Sequence, residues 1–259
     1  MHKLPLDIET IPGQAAAVLD ALKADAEAEK AECRAPANYK DPEKIAANIA
    51  EQHAAIDAAV LDKWRKTSFD GAFGQIVVVS FSVDGAEPFK LWNEDWQHPE
   101  SERHLLLDLN DALHDSIKPS MEIGTQVIGH NVSAFDLRFL VQRSIVLGVK
   151  PHPILARAAA AKPWETDKVF DTMVQWAGVG NRVSLDKLCK ALGLPGKGEI
   201  DGSKVWDYVQ AGRIAEVADY CADDVRKVWA VYQRMTFAKV TQPELEDVPV
   251  MVGKYQATA

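Results

Sequence analysis

The chain has 259 residues, a formal net charge of −9 and an apolar share of 47%. That is enough for one large domain, or one domain with an insertion, around a packed core. No run approaches the roughly 18 apolar residues of a membrane helix, and three scattered cysteines without a CxxC pair point to neither a zinc site nor a disulfide framework.

Residues 3–10, KLPLDIET, read as a short strand with Leu4, Leu6 and Ile8 on one face and Asp7 and Glu9 on the other. Pro12-Gly13 ends it. Residues 14–34 are rich in Ala, Glu and Lys and predict an exposed helix. Residues 43–66 predict a second, with Ile45, Ile49, Ile56 and Val60 at helical spacing and Asp41-Pro42 as its start signal. Together they form a helical hairpin inserted at about 13–66, which either packs over the sheet or gates a site.

Residues 74–85, GQIVVVSFSVDG, form the clearest strand, and 87–93 pair with it across Asp84-Gly85. Residues 100–117 predict a helix with Leu105, Leu109 and Leu113 on one face. A strand at 125–131 leads into a helix bearing Asp136. After Pro151 and Pro153 the chain reads as irregular as far as 168. Ser184 caps a helix that Gly193 and Pro195 end. The last long helix covers 213–236 and carries Tyr220 and Asp224. The whole predicts an α/β layer fold with a mixed sheet over residues 1–240, with 241–259 as a C-terminal tail. The acids are expected to converge along one edge of that sheet.

The chemistry concentrates in four carboxylates and one phenol. Asp7 and Glu9 share a strand face, and Tyr220 and Asp224, four apart, share a helix face. Such acids repel one another unless cations relieve them, and hard divalent metals with oxygen ligands do so. Each feature has a plainer alternative. Asp7 and Glu9 fit a charged surface strand. Asp136 fits a first-turn helix acid favoured by the macrodipole. On the last helix, Asp219 and Asp223 form the solvated face while Tyr220 packs inward.

In this sequence Asp7-Ile8-Glu9, His130-Asn131 with Asp136, and Tyr220-x3-Asp224 together resemble the motifs of a DEDD-type 3′–5′ exonuclease. The group is the tyrosine subclass of the ribonuclease H-like superfamily, related to the proofreading exonuclease domain of family B DNA polymerases. The alternative histidine form of the third motif fails, because Asp219 stands five residues before Asp224. The resemblance runs over about residues 4–236 apart from the insertion. It implies a ribonuclease H-like mixed sheet flanked by helices, with Asp7, Glu9, Asp136 and Asp224 holding two divalent ions, Mg²⁺ or Mn²⁺, and Tyr220 orienting water.

It further implies single-stranded DNA 3′ ends as substrate, with RNA ends or a silent nucleic-acid-binding module as alternatives. Thr10 is implied to contact the terminal nucleotide, the alternative being an ordinary strand threonine. Asn131 braces its loop or meets substrate, and Phe135 stacks on a base. Asp171 is either a helix cap or a group behind the ligands. Trp164, Trp176 and Trp206 are core residues or stacking platforms. No polymerase-sized region accompanies the motifs, so a polymerase or replisome partner would act in trans.

The acidic balance predicts a weak, salt-sensitive grip on long duplexes. Lys187, Lys190, Lys197 and Lys204 form either a solvated face or a phosphate footprint. The cysteine usage predicts a reducing cytoplasm, and the motif-bearing strand begins by Leu4, too early for a cleavable leader.

Overall fold

The computed structural model describes residues 2–196 and 200–238. Lys197 and the tail from 241 onward therefore lie outside the described residues. The sheet has five strands in the order β3-β2-β1-β4-β5. They are β1 (Lys3–Ile11), β2 (Gln75–Phe81), β3 (Phe89–Trp92), β4 (Gln126–Gly129) and β5 (Val169–Asp171). β1 pairs antiparallel with β2 and parallel with β4, so the sheet is mixed. β1 is its centre and is covered on both faces, which is why residues of both parities along it are buried.

One face packs on α3 (Ser101–Ser116), α4 (Asp136–Val146) and α5 (Pro153–Ala159). Leu4, Leu6, Ile8 and Phe81 meet Leu109, Leu113, Leu137 and Leu140 there. The other face lies under α8 (Val205–Gln210) and α9 (Ile214–Met235), where Ile11, Val77 and Val78 meet Val217, Ala218 and Cys221. Two short helices, α6 (Thr172–Ala177) and α7 (Leu185–Ala191), close the β5 side. A buried ion pair locks the first layer: Glu102 accepts from Arg143 Nη2 at 2.7 Å and from the backbone N–H of Ile76 at 2.8 Å.

The inserted hairpin is α1 (Ala16–Glu32) and α2 (Pro42–Lys66). Asp41 caps α2 by accepting from the Glu43 N–H. α2 packs chiefly against α1, and none of its residues is fully buried. The root of the hairpin is anchored: Trp64 donates to Gly13 O at 2.9 Å and packs edge-on against Trp206.

Four expectations change. Residues 153–159 are helical because Pro153 occupies the first turn, where a missing N–H is harmless, and His152 caps Ile154. Short β5 and α8 emerge where the pattern was too brief to read. Asp84 and Gly85 do take positive φ, 54° and 80°, but the β2–β3 connection is wider than a two-residue turn. Asp84 instead ties to β1, accepting from the Lys3 N–H at 2.7 Å. Finally, the acids gather over the central strand, not along an outer edge of the sheet. Among the described residues no helix is long and apolar enough to cross a membrane.

Candidate active site

β1 positions the first two acids. Asp7 and Glu9 alternate with the core residues Leu6 and Ile8 and so face α9. Across from them the register slips: Glu9 opposes Val78 while Thr10 opposes Ile76, leaving Val77 as the extra residue of a bulge beside the acids.

Asp136 arrives by a different route. β4 pairs with β1 only through Lys3, Leu4 and Pro5, so β1 continues past it with one edge open. The Ile8 N–H on that edge donates to Asp136 Oδ1 at 3.1 Å. Asp136 is the first residue of α4, and the loop before it is held tightly. Asn131 sits at φ 65°. Asp171 accepts from the N–H groups of Asn131 and Ser133 at 3.0 Å each, while also capping α6. Asp171 is thus a helix cap that also ties down the loop leading to Asp136. His130 bridges Thr172 and Val183, at 2.9 and 2.8 Å, and burial pushes its pKa down. Gly129 is needed because a Cβ there would stand 2.3 Å from Val132 Cβ.

α9 brings Tyr220 and Asp224 over Glu9 and Asp7. Asp219 points outward to Lys90 at 2.6 Å, and Tyr220 packs inward, as the helical spacing predicted. The electrostatics follow from this crowding. Burial first, then the charges of Asp136, Glu9 and Asp224, hold the Asp7 carboxyl well above its ordinary range. Burial, then Asp224 and Asp136, do the same to Glu9. Burial raises Asp136 to about 7 against the opposing pull of its hydrogen bonds. The Tyr220 phenol is pushed upward too, by burial and then by Glu9 and Asp224.

This donor set suits a hard divalent cation: Asp7 and Glu9 of β1 and Asp136 of α4 crowd their carboxylates together in a buried site, with Asp224 of α9 partly buried beside them, and all offer oxygen as the ligand atom. A cleft of ≈ 160 Å³ opens beside it, lined by Ser184, Leu185, Asp186, Tyr220, Asp224 and Lys227.

Two neighbours were not singled out from the sequence. Lys227 Nζ lies 2.9 Å from Asp224 and 2.7 Å from Asp223; its i+3 and i+4 spacing was the available signal. Cys221 Sγ lies 3.4 Å from Asp7 Oδ2, and burial pushes its thiol up, so it stays a donor. Nothing local in the sequence marks that contact.

The remaining expected residues divide. Thr10 donates to Ser68 O at 2.7 Å and braces the 3-10 turn Thr67–Phe69. Phe135 is half-buried and packs on Phe139 and on Phe69, whose ring is 68% exposed. Asn131 lines a groove of ≈ 360 Å³ with Arg138, Lys162 and Arg182. Trp206 is partly buried against the core, whereas Trp164 and Trp176 are exposed. Lys190 pairs with Asp186 at 2.8 Å.

The mixed five-stranded sheet with helices on both faces, and acids gathered over its central strand, has the ribonuclease H-like fold. Residues 69–248 match the family described as "Predicted 3'-5' exonuclease related to the exonuclease domain of PolB", and the chain belongs to that family. Asp7 and Glu9 precede the matched range and join the other acids only through the fold.

A stretch of 76 residues is 32% identical to the DNA polymerase delta catalytic subunit of Arabidopsis thaliana. It spans 29% of this chain and 6% of that protein, so the chain corresponds to a small part of that relative. In structure the chain is similar to the family B DNA polymerase of the hyperthermophilic archaeon Pyrobaculum calidifontis. The TM-score is 0.52 at 16% identity, covering 91% of this chain and 24% of the polymerase.

Proposed function

We propose that the protein is a divalent-metal-dependent 3′–5′ exonuclease of the tyrosine subclass, removing mononucleotides from single-stranded DNA ends. The observation that carries this is the convergence of Asp7, Glu9, Asp136 and Asp224 beneath Tyr220, with burial and neighbouring charge raising the carboxyl pKa values of Asp7, Glu9 and Asp136. A binding-only module has no physical use for an acid cluster that repels phosphate.

In this reading Asp7, Glu9, Asp136 and Asp224 hold two Mg²⁺ or Mn²⁺ ions. Bound there, such ions supply Lewis-acid chemistry, lowering the pKa of water and neutralising charge that develops on the phosphate. Tyr220 keeps its proton, because its pKa is raised, and so orients the attacking water by hydrogen bonding instead of acting as base. The Ile8 N–H fixes Asp136, and Asp171 fixes the loop that delivers it. The exposed Phe69 ring beside Phe135, and the basic groove of Arg138, Lys162 and Arg182, offer stacking and phosphate contacts for a single strand.

The test is digestion of 3′- and 5′-labelled DNA and RNA oligonucleotides with Mg²⁺, Mn²⁺ or chelator, beside the Asp7→Asn variant. Metal-dependent shortening from the 3′ end of DNA, absent in the variant, is expected. Shortening of RNA alone would move the substrate. No cleavage of either, or equal cleavage by the variant, would end the proposal.

A further inference from the structure

At the opposite end of β4 from Asp136, a second cluster of ligand atoms stands apart from the acids. His114 lies in the last turn of α3, Glu122 lies in the 3-10 segment Pro119–Gly124 just before β4, and His152 precedes α5. His114 Nδ1 and His152 Nε2 are 3.2 Å apart, and Glu122 Oε1 is 3.7 Å from each. We propose that His114, Glu122 and His152 form a zinc-binding site that staples these three segments together.

The distances carry the argument. A zinc ion with bonds of about 2.0–2.1 Å sets neighbouring ligand atoms about 3.3 Å apart in a tetrahedron. The three observed separations bracket that edge. A hydrogen bond between His152 Nε2 and His114 Nδ1 accounts for the 3.2 Å separation without metal, but it does not account for the place of Glu122. Both 3.7 Å separations are too long for hydrogen bonds, yet one carboxylate oxygen stands equidistant from two imidazole nitrogens.

The site is also built. The His152 N–H donates to Asn110 Oδ1, and Asn110 Nδ2 donates to Lys150 O, each at 3.0 Å, tying the 150–152 segment to α3. The His152 side chain is 2% exposed and that of Glu122 17%, while His114 at 61% leaves the fourth coordination position open to solvent. Binding has one local cost. His152 Nδ1 accepts from the Ile154 N–H at 3.3 Å, so the ring proton sits on Nε2 without metal and must move to Nδ1 when Nε2 ligates. The cysteine pattern argued against a zinc site, and this proposal departs from that reading because a site of two histidines and a glutamate needs no cysteine.

The experiment uses the full chain carrying Asp7→Asn and Asp224→Asn, so that the acid cluster does not compete. Zn²⁺ bound per chain is measured by equilibrium dialysis, and melting temperature with and without Zn²⁺. One equivalent of Zn²⁺ and a raised melting point are expected. His114→Ala, at an exposed side chain, and Glu122→Gln, which keeps the side chain's shape, should each weaken binding roughly tenfold or more while leaving the metal-free melting point in place. Co²⁺ should give the intense visible absorption of a low-coordinate imidazole site, lost in the same variants. No Zn²⁺ retained at micromolar concentration, or undiminished binding in both ligand variants, would overturn the proposal.

Discussion

Asp136 offers a quantitative test of the acid cluster that does not depend on catalysis. Its carboxyl is raised from an ordinary 3.8 to about 7, chiefly by burial. In the metal-free protein the folded state therefore keeps a proton that the unfolded chain releases. The stability tied to that proton is complete below about pH 4 and is lost as pH rises through about 7. At about 1.4 kcal/mol per pH unit, the interval corresponds to about 4 kcal/mol, as an upper figure. Asp7 and Glu9 move in the same direction. Asp136→Asn removes the charge but keeps an oxygen to accept from the Ile8 N–H. Urea unfolding in chelator between pH 5 and 8 should show falling stability for the parent protein and a flatter profile for the variant. The variant should be the more stable by one to about 4 kcal/mol at pH 8, and added Mg²⁺ should restore the parent but not the variant. Equal stability of the parent at pH 5 and pH 8 in chelator, with no gain from Asp136→Asn, would refute the claim that burial and repulsion strain this site.

Tyr220→Phe should lower turnover by about one to three orders of magnitude with little change in KM, read by steady-state digestion of a labelled strand; an unchanged rate removes the phenol from the reaction. Glu102→Gln leaves Arg143 without its buried partner charge and should cost about 3–5 kcal/mol in denaturant unfolding. Gly129→Ala forces its new methyl into Val132 and should cost about 1–3 kcal/mol. By shifting the loop that carries Asp136, it should also weaken Mg²⁺ binding, measured by calorimetry.

Strong local periodicity made much of this molecule legible. Alternation along β1 put Asp7 and Glu9 opposite Leu6 and Ile8, and the i to i+4 spacing put Tyr220 and Asp224 on the inward face of α9. Asp41-Pro42 announced α2, and Ser184 announced α7. Those signals need only a residue and its near neighbours, because backbone geometry fixes where each side chain points. Brief elements escaped: the three residues of β5 and the six of α8 are too few to show a period.

Tertiary structure decided what depends on distance across the chain. The Ile8 N–H meets Asp136 only because β4 stops short of it, and strand length on a neighbouring segment is not written near either residue. Cys221 reaches Asp7, and His114 reaches Glu122 and His152, for the same reason. Residue type and spacing specify which face a side chain takes; which other side chains share the space beyond that face is set by how separate elements pack, and packing is a property of the whole core.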